Sequence, residues 1–246
     1  MGELIAVLSG KGGTGKTSVC AGLATALAAS GQRGLCIDCD VGLRNLDISL
    51  GLSDTACLSF LEVYRGDYAL AQATVHPQYP SLSFLTAPMN CAIESIDPEA
   101  FAALVHEARK TFDYIFLDTP AGVDAGFRLT AACADRCILV TGPGPAAVRD
   151  ARRVGDLLEL MGKTNVRLIV NRVNKKMVSA MDITIDDVMD EAGLPLLGLV
   201  PEDLQVTLAA ALGSPLLNYK SRSAAAKAFR RIANRIQGLP QPIGLR

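Results

Sequence analysis

Residues 9–18, SGKGGTGKTS, restrict this 246-residue chain more than any other stretch. Gly10 to Thr17 fill the pattern G-x-x-x-x-G-K-[ST] in full. The apolar run 4–8 leads into it, and an alanine-rich run, 18–29, broken only by Gly22 and stopping at Gly31, leads out. That order is strand, glycine loop, helix, the context in which the pattern binds phosphate. Gly10, Gly12, Gly13 and Gly15 let the backbone N–H groups of the loop, with those of Thr14 and Ser18, converge on phosphate oxygens at the positive end of a helix. Lys16 would reach the β and γ phosphates, and the Thr17 hydroxyl would ligate magnesium.

The pattern of an apolar run ending in a polar residue recurs. Runs 34–37, 114–117, 137–140 and 166–170 end in Asp38, Asp118, Thr141 and Asn171. Continuous apolar strands without alternation, separated by helical stretches such as 98–111 and 146–161, predict an α/β fold. The expected fold is a single-domain P-loop NTPase, a mostly parallel sheet with helices on both faces. Ligands of such sheets bind beyond the carboxyl ends of the strands, where those polar residues fall. At 50% hydrophobic residues the chain can build one sizeable core, expected over 1–237, with 238–246 as a short tail. Each apolar run falls short of the ~18 residues of a membrane span, and the start of the chain does not read as a signal peptide, which predicts a cytoplasmic protein.

Asp118 closes "YIFLD" and brings a carboxylate to the phosphate edge, where a P-loop protein needs an acid for magnesium or its waters. Asp38 and Asp40 bring two more, and their spacing leaves open which assists the metal and which orients water. Lys11 is a second loop lysine that one phosphate cradle does not need; aimed outward, its charge could serve a nucleotide held by a neighbouring molecule. The histidines, His76 and His106, form no constellation and read as surface or satisfied core positions. Seven cysteines, several inside apolar runs, read as reduced core thiols. The C-x-x-C pair Cys36 and Cys39 lacks the second pair of a zinc ribbon.

"KGGTGKT" resembles the deviant Walker A motif of the MinD/ParA family of ATPases, in which the extra lysine crosses an ATP-sandwiched dimer interface. Lys11 matches that signature lysine. "IDCDVGLRNLDISLGL", "FDYIFLDTPAG", "AAVRD", "LIVNRV" and "GLVPED" are similar, in order and spacing, to the septum-site-determining MinD members, over nearly the whole chain to about residue 237. The resemblance implies a Mg-ATP-dependent dimerising ATPase involved in division-site placement. It places Asp38 near magnesium, Asp40 in a first switch positioning the attacking water, and Asp118 as the Walker B acid. Asn171, with Arg172 beside it, and the segment Pro201, Glu202 and Asp203 would recognise adenine, Asn171 by hydrogen-bonding the base. ATP and Mg2+ are the implied cofactors. A homodimer, MinC-like and MinE-like proteins and an anionic membrane surface are the implied partners, with a location peripheral on the inner face of the cell membrane.

Rival readings on the same engine are a ParA-like or flagellar-placement ATPase acting on DNA or protein partners, and a metal-cluster carrier, which would need paired cysteines at a dimer axis. The charge pattern speaks against DNA. The formal net charge is −1, yet residues 220–246 hold seven basic residues and no acidic one, leaving 17 basic against 25 acidic in the body. No positive field remains there to displace counterions from nucleic acid. The apolar positions Ala224, Ala225, Ala228, Phe229, Ile232 and Ile236 share one helical face, with Lys227, Arg230, Arg231 and Arg235 around it, and match the family's last core helix. The final stretch "GLPQPIGLR" has two prolines that forbid a continued helix. In "VRDARR", Arg152 stands where MinD proteins commonly carry an acid, so this helix is expected to be either a charged surface or an altered docking face.

Overall fold

The computed structural model describes residues 1–41, 43–89 and 91–244; Gly42 of "GLRNLD" and Arg246 of the basic segment lie outside them. Its strands are β1 (Glu3–Leu8), β2 (Gly34–Asp38), β3 (Thr74–His76), β4 (Tyr79–Leu85), β5 (Tyr114–Asp118), β6 (Arg136–Thr141), β7 (Val166–Val173) and β8 (Leu196–Pro201). They form one sheet in the order β3-β4-β2-β5-β1-β6-β7-β8, parallel except for the β3–β4 pair. The parallel strands are the continuous apolar runs, because helices cover both of their faces. Along β1, Ile5 and Val7 point into one core layer while Leu4, Ala6 and Leu8 point into the other side.

The first layer is built by α1 (Lys16–Ala29), α2 (Leu46–Leu50), α9 (Leu204–Ala211), α10 (Leu216–Tyr219) and α11 (Ala224–Ile236). The opposite layer holds α3 (Phe60–Tyr64), α4 (Pro98–Ala108), α5 (Ala125–Cys133), α6 (Pro145–Leu160), α7 (Lys175–Ala180) and α8 (Ile185–Ala192). The helix expected over 98–111 starts under an Asp97 cap and stops at Ala108, and that expected over 146–161 begins one residue earlier, on Pro145. Proline fits the first turn because its missing N–H has no partner there anyway.

Gly22 does not break α1. A Cβ on it would lie 2.4 Å from the Phe229 ring, so glycine is what lets α11 press against α1. Ala225, Ala228, Phe229, Ile232 and Ile236 are buried, so α11 is the core helix that its stripe predicts. Two of its cations hold the segment after it: Arg231 donates to Gly244 O at 3.0 Å and Arg235 to Gln241 O at 3.2 Å, and residues 238–244 fold back without helix. His76 is buried and satisfied, Nε2 donating to Leu50 O at 2.8 Å and Nδ1 accepting from Gln78 N at 3.1 Å; burial lowers its pKa and keeps it neutral. His106 is exposed, and all seven cysteines are free, with no metal-binding cluster among the described residues.

Candidate nucleotide site

At the carboxyl edge of the sheet the Gly10–Thr17 loop arches from β1 to α1. Gly13 and Gly15 have φ of 81° and 86°, which side chains rarely adopt. Gly10 is required by contact instead, since a Cβ would meet Asp150 on α6 at 3.0 Å. A Cβ at Gly15 would strike the Asn171 amide at 2.3 Å, whereas Gly12 and Gly13 face open space. Thr14 Oγ1 is buried in this loop with no hydrogen-bond partner. An orphaned donor costs roughly 1–3 kcal/mol, so a phosphate oxygen is the kind of acceptor the loop is built to receive.

Lys16 is buried and its Nζ donates to Asp118 Oδ1 at 2.7 Å and to Thr17 Oγ1 at 3.4 Å. Burial is the largest single influence and works against its charge, but the charge and hydrogen bond of Asp118, together with the nearby Asp40, leave its pKa raised. Asp118 and Asp38 are register partners on β5 and β2, so the two carboxyls face each other at the strand ends. Asp38 accepts from Asp40 N at 2.9 Å and Leu46 N at 3.2 Å. Its complete burial, with the neighbouring Asp118 charge, still pushes its pKa up to about 7. Half-buried Asp40 is also raised by burial, against the pull of Lys16. Two buried acids beside one lysine and a threonine hydroxyl form a hard oxygen set that a divalent cation suits.

Lys11 takes no part in this cradle. Its side chain is 45% exposed and its Nζ lies 3.6 Å from Asp150 on α6. The two loop lysines thus differ in setting, one buried against Asp118 and the other at the surface.

Beside the loop a cavity of about 520 Å³ is lined by Gly15, Ser18, Asn171, Arg172, Pro201, Glu202 and Asp203. The glycine loop and α1 supply Gly15 and Ser18, while β7 and the end of β8 deliver the others where their pairing shifts register between Val170 and Val173, and Arg172 adopts φ 55° there. All of the residues expected around the base therefore meet the end of the phosphate loop. Asn171 is nearly buried and its Nδ2 donates to Thr14 O at 2.8 Å, so it buttresses the loop as well as lining the pocket. Leu204, Val206, Thr207, Ala210 and Phe229 complete the wall. Sequence reasoning marks Phe229 only as core, and nothing local identifies a residue on α11 as a neighbour of the loop. Nor does spacing reveal that Asp150 holds Lys11.

Residues 5–216 match the CobQ/CobB/MinD/ParA nucleotide binding domain family. The chain is 39% identical over 244 residues to the septum site-determining protein MinD of Synechocystis sp., covering 98% of this chain and 92% of that one. It is 38% identical over 250 residues to MinD of Bacillus subtilis, covering 99% and 92%. Among solved structures, a chain of the MinC:MinD cell division protein complex of Aquifex aeolicus matches with a TM-score of 0.90 at 34% identity over 98% of both chains. MinD of Pyrococcus horikoshii, complexed with Mg-ADP, matches with a TM-score of 0.84 at 30% identity over 96% of both. With its phosphate loop, signature lysine and paired edge acids in place, this chain belongs to the CobQ/CobB/MinD/ParA nucleotide-binding family, among its septum-site-determining MinD members.

Proposed function

We infer that the chain is a magnesium-dependent ATP hydrolase of MinD type, a switch in division-site placement whose ATP-bound form is a homodimer. The observation that carries this reading is the separation of the two loop lysines, Lys16 buried at Asp118 and Lys11 exposed at Asp150. Thr17, Asp38 and Asp118 would hold magnesium, which supplies neutralisation of phosphate charge. Bound ATP would take Lys16 from Asp118, satisfy the Thr14 hydroxyl and place its base in the pocket at Asn171 and Pro201 to Asp203. The Asn171 amide nitrogen is committed to Thr14, which leaves its oxygen to accept from an exocyclic amine of the base.

Catalysis is then positioning and charge stabilisation. Asp40 would orient the attacking water, and Lys11 from a second copy would bring the positive charge that this copy's own Lys11, held at Asp150, does not. Lys11→Ala should leave nucleotide binding by the monomer intact and abolish the dimer in ATP, read by light scattering after size exclusion. An undiminished dimer would overturn the in-trans role.

The likeness to the Aquifex MinC:MinD complex supports a MinC-type partner, and a MinE-type stimulator belongs to the same reading. No helix among the described residues is long and apolar enough to cross a membrane. Peripheral contact of the ATP dimer with an anionic membrane surface is the finer part of the proposal, supported by the one-signed charge of the last helix and of the connection that leads into it.

A further inference from the structure

Thr119 and Thr130 bury two hydroxyls completely, beside the apolar layer that Phe127 and Ala131 of α5 help to build. Their Oγ1 atoms lie 2.9 Å apart, and Thr130 Oγ1 also lies 2.9 Å from Gly126 O and 3.1 Å from Phe127 O within α5. A hydroxyl has one proton, and a carbonyl can only accept. The Thr130 proton therefore goes back to its own helix, and Thr119 is the donor of the pair. Among the described residues, Thr130 is the sole partner of the Thr119 hydroxyl. A valine at either position would fill this layer with no hydroxyl to desolvate, so packing does not call for the pair.

The position of the pair gives it a use. The β1–β5 ladder ends with Val7 opposite Asp118, so Thr119 is the first residue beyond the paired strand. Asp118 O accepts from Cys39 N at 2.9 Å and Thr119 N donates to Val7 O at 3.3 Å, which pins the backbone on the sheet side. On the other side α5 holds the turn, Thr119 through Thr130, and Pro120 through Gly126, where a Cβ would lie 2.4 Å from the proline ring. Gly122 N then donates to Ser9 O at 3.2 Å, at the entry to the phosphate loop. The Asp118 carboxylate itself has, among the described residues, Lys16 as its one hydrogen-bond donor. Once a phosphate draws Lys16 away, the aim of that carboxylate depends on the backbone that carries it.

We propose that Thr130 is a positioning residue for hydrolysis: by accepting from Thr119 it ties the segment after Asp118 to α5 and keeps the Asp118 carboxylate aimed at the phosphate edge when Lys16 leaves it. The assignment rests on the reading of the chain as a magnesium-dependent ATP hydrolase. It gives α5 a part in the site although no residue of that helix lines the phosphate loop. Without the tether, the Thr119 hydroxyl is left buried with no acceptor, and the turn must shift to find it one.

The test joins steady-state ATP hydrolysis in magnesium with amide hydrogen exchange of the protein free of nucleotide and metal. T130V should lower kcat roughly tenfold and move KM for ATP by no more than about twofold, because binding is left alone while aim is lost. In the nucleotide-free protein the amides of residues 119–122 should exchange about tenfold faster, with the central strands unchanged. T130S, which keeps the oxygen, should restore both readouts. T119V removes the donor while the Thr130 proton stays on Gly126 O, so it orphans no hydroxyl, folds, and should lose kcat alike. Wild-type kcat in T130V and T119V overturns the proposal. So does a T130S as slow as T130V, which would assign the loss to the methyl group, and so does exchange that rises over the whole sheet, which would make it a loss of stability. A wild type without magnesium-dependent ATP hydrolysis overturns the hydrolase reading instead, and the positioning role with it, even where exchange shows that the tether holds the turn.

Discussion

Asp38 shows how a site stores unfavourable charge before its ligand arrives. It is fully buried, its pKa pushed up to about 7 from 3.8 by burial and by Asp118, although two backbone N–H groups support it. The folded protein holds this proton more tightly than the unfolded chain. Stability is thus unpenalised below pH ~4, falls as pH rises, and levels off above ~7, by about 4 kcal/mol at most. Asp38→Asn removes the titration at a roughly constant cost of one mispaired N–H. Melting temperatures without nucleotide or magnesium should therefore show the Asn variant gaining on the wild type between about pH 4 and 7, and parallel curves would refute the buried proton. Lys16, Thr17, Asp38 and Asp118 are legible in the sequence because each stands at a strand end or in a motif whose chemistry is local. The pairing of Lys16 with Asp118, or of Asn171 with Thr14 across 157 residues, is not, because those contacts exist only once the strands are ordered.

At the scale of elements, the apolar runs of the central strands are readable because burial on both faces leaves no alternation to misread. The edge pair β3 and β4 is not, since "TVH" and "YPSLSFL" mix polar and apolar positions where one side meets solvent. Glycine at position 22 reads in the sequence as an interruption and is instead a packing device. Intrinsic propensity says that Gly22→Ala should strengthen α1 by roughly 0.5–1 kcal/mol. The new methyl would sit 2.4 Å from the Phe229 ring, and overpacking of that kind costs roughly 1–3 kcal/mol. The clash is the larger effect, so Gly22→Ala should be destabilised by about 1 kcal/mol in urea unfolding. Shrinking the ring with Phe229→Leu should make the same alanine harmless or helpful. A double-mutant cycle with no coupling between the two positions would show that α1 and α11 do not press on each other there.

At the scale of the whole molecule, the proposed in-trans role sets monomer and dimer in competition for one side chain. On that reading Lys11 cannot both rest on Asp150 of its own α6 and reach the nucleotide of a second copy, so each dimer formed would break two such pairs. The pair is long, at 3.6 Å, and its side chains are 45% and 32% exposed, which places it among surface ion pairs worth roughly 0–1 kcal/mol. At about 0.5 kcal/mol per pair, dimerisation in ATP is opposed by about 1 kcal/mol, or about fivefold in the dissociation constant. Asp150→Ala should lower that constant by about this factor, because Lys11 is released while Gly10, which packs against the Asp150 backbone and Cβ, keeps its support. Sedimentation equilibrium in ATP over a concentration series measures the constant directly. A dissociation constant that does not move would mean that Lys11 leaves Asp150 at no cost, and one that rises would mean that Asp150 helps the dimer. A tenfold rise in ionic strength should erase most of the difference between Asp150→Ala and wild type, since the competing pair is exposed and screened.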